Sequence, residues 1–169
     1  MSQSVEEHRA AAPDHVRCAV VTVSDTRTTD TDRSGQLIQS QLSSAGHEIV
    51  DYRIVKDEPT EIDAVLTELI ERHDCDAVIF NGGTGIARRD TTYDTVSRRL
   101  EKKLDGFGEL FRSLSYGEIG AAAMLTRATA GVVGGTVVFL TPGSTNAVGL
   151  ALEKLIIPEI AHVVFEMRK

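Results

Sequence analysis

The chain has 169 residues, and its 41% of hydrophobic side chains is enough for the core of one domain; no apolar run approaches the roughly 20 residues of a membrane-spanning helix. A net charge of −7, a pI near 5.2, 5% aromatic residues and no tryptophan exclude a basic or base-stacking face for nucleic acid. Cys18 and Cys75 lack metal-ligand spacing and, with no export signal in sight, are expected to be reduced thiols packed on strands of a cytoplasmic protein.

Met1–His15 is acidic, alanine-rich and interrupted by Pro13, which predicts a disordered extension ahead of a single domain spanning 16–169. Arg17–Ser24 is nearly all apolar and β-branched, as in a strand buried on both faces. A Thr/Asp-rich loop, Asp25–Arg33, leads to a helix at Ser34–Ala45 that puts Leu37, Ile38 and Leu42 on one face and stops at Gly46. Glu48–Val55 alternates as a second strand. Pro59 opens a helix running to Arg72, and Asp76–Phe80 is a short buried strand. Further helices are predicted over Thr92–Leu104, from Gly106 to Tyr116 after a turn, and over Glu118–Arg127. Val132–Val133 and Thr136–Leu140 flank Gly134-Gly135 as a hairpin. The loop Thr141–Thr145 precedes an apolar helix through Leu155, and a last helix starts at Pro158. This order predicts an α/β fold: a three-layer, doubly wound, mostly parallel sheet with helices on both faces and a short β-hairpin in the C-terminal third.

Ligands of such sheets bind beyond the carboxyl ends of the strands, near the reversal of strand order. Four loops of unusual composition leave strand ends: Ser24-Asp25-Thr26, Lys56-Asp57-Glu58, Gly82-Gly83-Thr84-Gly85 and Pro142-Gly143-Ser144. Three glycines in four positions let successive N–H groups aim at one phosphate, although the loop lacks the P-loop lysine and the dinucleotide spacing. Asp90 is equally suited to hold Mg²⁺, with Asp57 as a second carboxylate, or to cap the helix beginning near Thr92. The Pro142–Ser144 turn suits an anion at a helix N-terminus and an ordinary strand-to-helix turn equally well. Arg127, in a small-residue segment, needs either a ligand phosphate or a carboxylate such as Glu109 or Glu118. His47, His73 and His162 have no partner in the sequence and read as surface or core histidines.

VTVSDT (21–26), DRSG (32–35), VKDE (55–58), NGGTG with RRDTT (81–92), GFGELFRSLSY (106–116), LTRATAGV (125–132) and TPGSTNAV (141–148) together resemble the MoaB/MogA proteins of molybdenum cofactor synthesis. That family includes the molybdopterin-adenylylating domains of gephyrin and its plant counterpart. The resemblance runs from about Arg17 to Ile160 and leans to the MoaB branch; Thr126 stands where relatives often have serine. It implies Mg-ATP-dependent adenylylation of molybdopterin, with release of pyrophosphate. Asp57 and Asp90 fall on the family's two activity-linked acids and would hold the Mg²⁺. Ser24, Asp25, Gly82, Gly83, Thr84, Gly85, Ser115, Arg127, Pro142, Gly143 and Ser144 would line the cleft for molybdopterin and ATP.

Two other readings remain: a non-catalytic molybdopterin carrier, which has no reason to keep both aspartates, and a flavodoxin-like regulatory module that binds no pterin. The resemblance also implies a homotrimer, or a hexamer of two trimers. Phe107, Leu110, Phe111, Leu114, Met124, Leu125, Val132 and Val133 supply apolar area for it, unless they complete the core instead.

Overall fold

The computed structural model describes residues 3–169, with side chains from Glu6 onward. Four strands, β1 (Arg17–Val23), β2 (Glu48–Val55), β3 (Ala77–Asn81) and β6 (Thr136–Thr141), lie parallel, while β5 (Thr129–Val133) runs antiparallel to β6 and β4 (Lys102–Lys103) antiparallel to β5. Their order is β2-β1-β3-β6-β5-β4.

The continuous apolar runs are explained by burial on both sides of the sheet. Cys18, Val20, Ile79 and Phe139 face α2 (Arg33–Ser44), α5 (Asp105–Ile119), α6 (Thr145–Ala151) and α7 (Ile157–Met167). Ala19, Val21, Val78, Phe80 and Leu140 face α3 (Pro59–Ile70) and α4 (Thr92–Arg99). The fold is therefore the three-layer α/β sandwich expected. Both cysteines are buried free thiols, one in each of the two cores; burial pushes the Cys75 thiol up to about 11, which leaves it inert at neutral pH. Because β1 lies between β2 and β3, the chain winds in opposite directions from it. The crevice opens at the carboxyl ends of β1 and β3.

Several elements depart from the sequence expectation. Within the segment expected to be disordered, residues Gln3–Ala11 form a helix, α1, which packs on α7. The helix expected over Thr92–Leu104 stops at Arg99, because Leu100 turns extended and Lys102-Lys103 pair with Gly131 and Val132. The hairpin's outer edge captures those residues, and a backbone ladder outweighs helix propensity there. α5 continues past Tyr116 to Ile119, and Gly120, at φ +60°, ends it. A 3₁₀ segment, Gly120–Leu125, stands where a second helix was expected. Finally, α6 and α7 are one rod joined by a π-helical turn, Leu152–Ile156. A widened turn is how a continuous rod absorbs Pro158, whose missing N–H and ring bulk break a regular helix.

The apolar residues assigned to assembly divide. Phe107, Phe111 and Val133 are buried in the core, whereas Leu110, Leu114, Met124 and Leu125 are exposed, together with Tyr116 and Ile119.

Candidate functional site

The site grows out of three strand ends. After β1, the Ser24 hydroxyl accepts from the N–H groups of Thr26 (3.3 Å) and Arg27 (3.2 Å), a turn that brings Arg27 back across the sheet. The Arg27 guanidinium then donates to the Gly143 carbonyl (2.9 Å), to Ser34 Oγ (2.5 Å) and to Asp32 Oδ1 (3.3 Å), tying the β1 loop to the β6 loop. Beneath it Asp32 is fully buried and caps α2 through Gly35 N–H. Burial pushes its carboxyl up, but donation from Thr22, Gly35, Tyr52 and Ser34 outweighs this and holds it below the ordinary range.

After β3 the chain must pass close to β1. Gly82 has φ +100°, and a Cβ there would lie 2.3 Å from the Val23 carbonyl oxygen; at Gly83, φ +61°, it would lie 2.4 Å from Asp57 Oδ2. Only glycine fits this path. Arg127 clamps the carbonyl side of the loop, donating to the carbonyls of Thr84 (3.0 Å), Gly85 (2.5 Å) and Asp90 (3.2 Å). It also pairs with Asp94 (3.0 Å) and lies 4.9 Å from the Tyr93 ring centroid. A trans peptide points its N–H opposite its C=O, so the Gly85 N–H is directed away from Arg127. Among the described residues, no hydrogen bond uses the N–H of Gly83, Thr84 or Gly85.

The two aspartates flank this loop. Asp57 is buried, and among the described residues every hydrogen bond to its carboxylate falls on Oδ1, from Thr91 N–H (2.9 Å), Thr91 Oγ1 (2.7 Å) and Thr92 Oγ1 (3.5 Å). Asp90 Oδ2 accepts from Ala87 N–H (3.2 Å) and would lie 2.4 Å from a Cβ on Gly85. Asp90 is not the helix cap: Thr91 occupies that position, and its side chain makes no cap hydrogen bond. Each carboxylate thus keeps one oxygen outside these hydrogen bonds, Asp57 beside Gly83 and Asp90 beside Gly85 of the glycine loop. Hard oxygen donors in that arrangement suit Mg²⁺.

Two adjoining cavities open above the strand ends and share Thr126 and Pro142. The smaller, about 490 Å³, is lined by Ser24, Arg27, Gly82–Gly85, Asp90 and Gly143. The larger, about 690 Å³, is lined by Ser115, Glu118, Ser144, Asn146, Glu153 and Lys154. The Ser144 hydroxyl accepts from Ala147 N–H (3.3 Å), so it serves as the cap of α6. Asp25 stands outside both cavities. It pairs with Arg89 (2.9 Å), which also bridges to Glu58 (2.7 Å), and it accepts from Asp57 N–H (3.2 Å). The Arg89 guanidinium holds the Asp25 carboxyl below its usual range. Arg127 lies behind the loop in a separate pocket; its carboxylate partner is Asp94, not Glu109 or Glu118. The sequence reading missed Arg27 and Lys154, which carry no periodicity or glycine signal and reach the cleft only through the Ser24 turn and the α6–α7 rod.

Comparisons with known proteins bear on the family and the fold. A family model described as "probable molybdopterin binding domain" matches residues 19–162. Molybdenum cofactor biosynthesis protein B of Bacillus subtilis (strain 168) is 56% identical over 167 residues, 98% of each chain. A crystal structure of a molybdenum cofactor biosynthesis protein B is 51% identical with a TM-score of 0.90, covering 93% of this chain and 98% of that one. The crystal structure of the tungsten cofactor synthesizing protein MoaB from Pyrococcus furiosus is 42% identical with a TM-score of 0.85, over 94% of this chain and all of that one.

Proposed function

The chain belongs to the MoaB/MogA family of molybdenum cofactor biosynthesis proteins, and on that premise we propose that it adenylylates molybdopterin with Mg-ATP, releasing pyrophosphate. The observation that carries this reading is the row of unpartnered N–H groups at Gly83–Gly85, set between two carboxylates that each retain an oxygen. Backbone N–H groups recognise a phosphate, and paired carboxylates beside a phosphate site are tolerable when a cation lies between.

In the reaction the terminal phosphate of molybdopterin attacks the α-phosphorus of ATP; the new phosphoanhydride bond forms as the bond to pyrophosphate breaks in line. Little covalent work falls to the protein, so positioning and charge neutralisation dominate. Gly83–Gly85 hold an ATP phosphate through their N–H groups, with Arg127 fixing the loop from behind. Arg27 keeps the β1 and β6 loops together at the mouth of the smaller cavity. Asp57 and Asp90 hold Mg²⁺, which when bound offsets the charge building on the leaving pyrophosphate. Two adjoining cavities sharing one wall suit two substrates whose reacting ends must meet at Thr126 and Pro142.

A non-catalytic carrier would use the same cavities for molybdopterin without ATP. Equilibrium dialysis of ATP separates the two readings. The enzyme binds one ATP per chain with an affinity that falls when Mg²⁺ is withheld; absence of ATP binding with Mg²⁺ present overturns it. The same family reading gives a homotrimer, or a hexamer of two trimers, held through exposed apolar residues of α5 and the 3₁₀ segment.

A further inference from the structure

We propose that His8, His162 and Glu166 form a divalent-cation site, of the kind zinc occupies, that clips α1 to α7. The site lies on the edge of the molecule and does not depend on the adenylylation reading. One helical turn of α7 separates His162 from Glu166, and α1 brings His8 over both. His8 Nδ1 is 2.9 Å from Glu166 Oε1, and His162 Nε2 is 3.7 Å from the same oxygen. One ligand atom from each residue fits within 4.8 Å of the others. A tetrahedral centre with metal–ligand bonds of about 2.0 Å spaces its ligands about 3.3 Å apart. The two distances to Glu166 Oε1 each lie about 0.4 Å from that spacing, and the His8–His162 separation, within 4.8 Å, asks for at most about 1.5 Å of side-chain rotation to close the site.

The second feature is how His162 is held. Its Nδ1 lies 2.8 Å from Glu159 Oε2, one turn earlier on α7. A carboxylate on one ring nitrogen keeps the proton there and leaves the lone pair on the other, which faces Glu166. This carboxylate–histidine relay is how proteins orient imidazole toward a metal. Two imidazoles and one carboxylate select a borderline ion such as Zn²⁺ over Mg²⁺ or Ca²⁺, and a water completes the fourth position. Lys169 is the competitor, with its ammonium 2.6 Å from Glu166 Oε1 and 4.7 Å from the Phe165 ring centroid. Arg9 pairs with Glu159 and so anchors α1 beside the site. A metal here would fasten a helix that otherwise rests on α7 through surface ion pairs and the tilted contacts of the His8 ring with His162 and Phe165.

The test uses the untagged full chain, stripped with a chelator and titrated with Co²⁺. A tetrahedral site with two nitrogen ligands gives strong visible absorption, whereas an all-oxygen site at Asp57 and Asp90 stays octahedral and pale. One strongly absorbing Co²⁺ per chain is expected, displaced by Zn²⁺. It is lost in His162→Ala and weakened at least about ten-fold in His8→Ala, Glu166→Gln and Glu159→Gln, while Lys169→Ala binds more tightly. Zn²⁺ should also slow tryptic trimming at Arg9 in the wild-type chain and leave it unchanged in His8→Ala. No tetrahedral spectrum, the same spectrum in both histidine variants, or trimming indifferent to Zn²⁺ overturns the proposal.

Discussion

Asp57 and Asp90 border the same loop but are held differently, and that difference makes their substitution informative. Asparagine at position 57 still accepts from Thr91 through Oδ1, and asparagine at 90 still accepts from Ala87 N–H. Each variant therefore loses charge and keeps geometry. Asp57→Asn and Asp90→Asn are expected to lower the adenylylation rate on the order of 100-fold or more, with unfolding midpoints near wild type; full activity in both would remove the metal assignment. Arg127 is a clamp on the loop carbonyls. Arg127→Ala should destabilise the fold by about 1–3 kcal/mol, and Arg127→Lys should fail to restore it, because an ammonium cannot copy the fork that reaches three carbonyls and Asp94. Urea unfolding of both variants checks this. Asp76 sets an acid limit on stability. Burial pushes its carboxyl up, but hydrogen bonds from Arg17 and the charges of Arg168 and Arg17 hold it below the usual value. A depressed folded pKa stabilises the protein above the unfolded pKa of about 3.9, and that contribution disappears as pH falls through the lower folded value. Urea midpoints measured across that acid window should fall less steeply in Asp76→Asn than in wild type.

Elements were legible where periodicity alone decides them. The buried runs at β1, β3 and β6 and the 3.6-residue pattern of α2 and α3 are satisfied on both sides of one sheet, so local pattern and tertiary structure agree. They were illegible where a distant segment decides. Lys102-Lys103 become a strand only because β5 offers an open edge, and α1 packs only where α7 passes, some 150 residues later. The site followed the same division. The glycine loop and its flanking aspartates showed in the sequence, while Asp90's partner, Arg127's carbonyl contacts and the reach of Arg27 depend on loops folded together. The glycine loop offers a test at this scale. Gly82→Ala forces a side chain into the left-handed region and against the Val23 carbonyl of a central strand, neither of which can yield. It should cost about 2 kcal/mol or more, seen as a lowered Tm together with lost ATP binding. An unchanged Tm would contradict the close approach of β1 and the loop.

At the scale of the whole molecule, α5 and the 3₁₀ segment leave Leu110, Tyr116, Ile119, Met124 and Leu125 exposed on a domain whose core is already closed. That much exposed apolar surface on two neighbouring segments is normally covered in part by another copy. Light scattering should give a mass of about 55 kDa for three copies of the 18.3 kDa chain, or about 110 kDa for six; a mass near 18.3 kDa would refute assembly. Among the described residues no helix is long and apolar enough to cross a membrane. The central claim concerns chemistry, and one assay reaches it directly. Pure protein is incubated with molybdopterin and ATP labelled on the α-phosphate, in the presence of Mg²⁺. The account predicts equimolar pyrophosphate and adenylyl-molybdopterin carrying the label, with neither formed when molybdopterin is left out. Molybdopterin bound with no pyrophosphate released and no label transferred would contradict it.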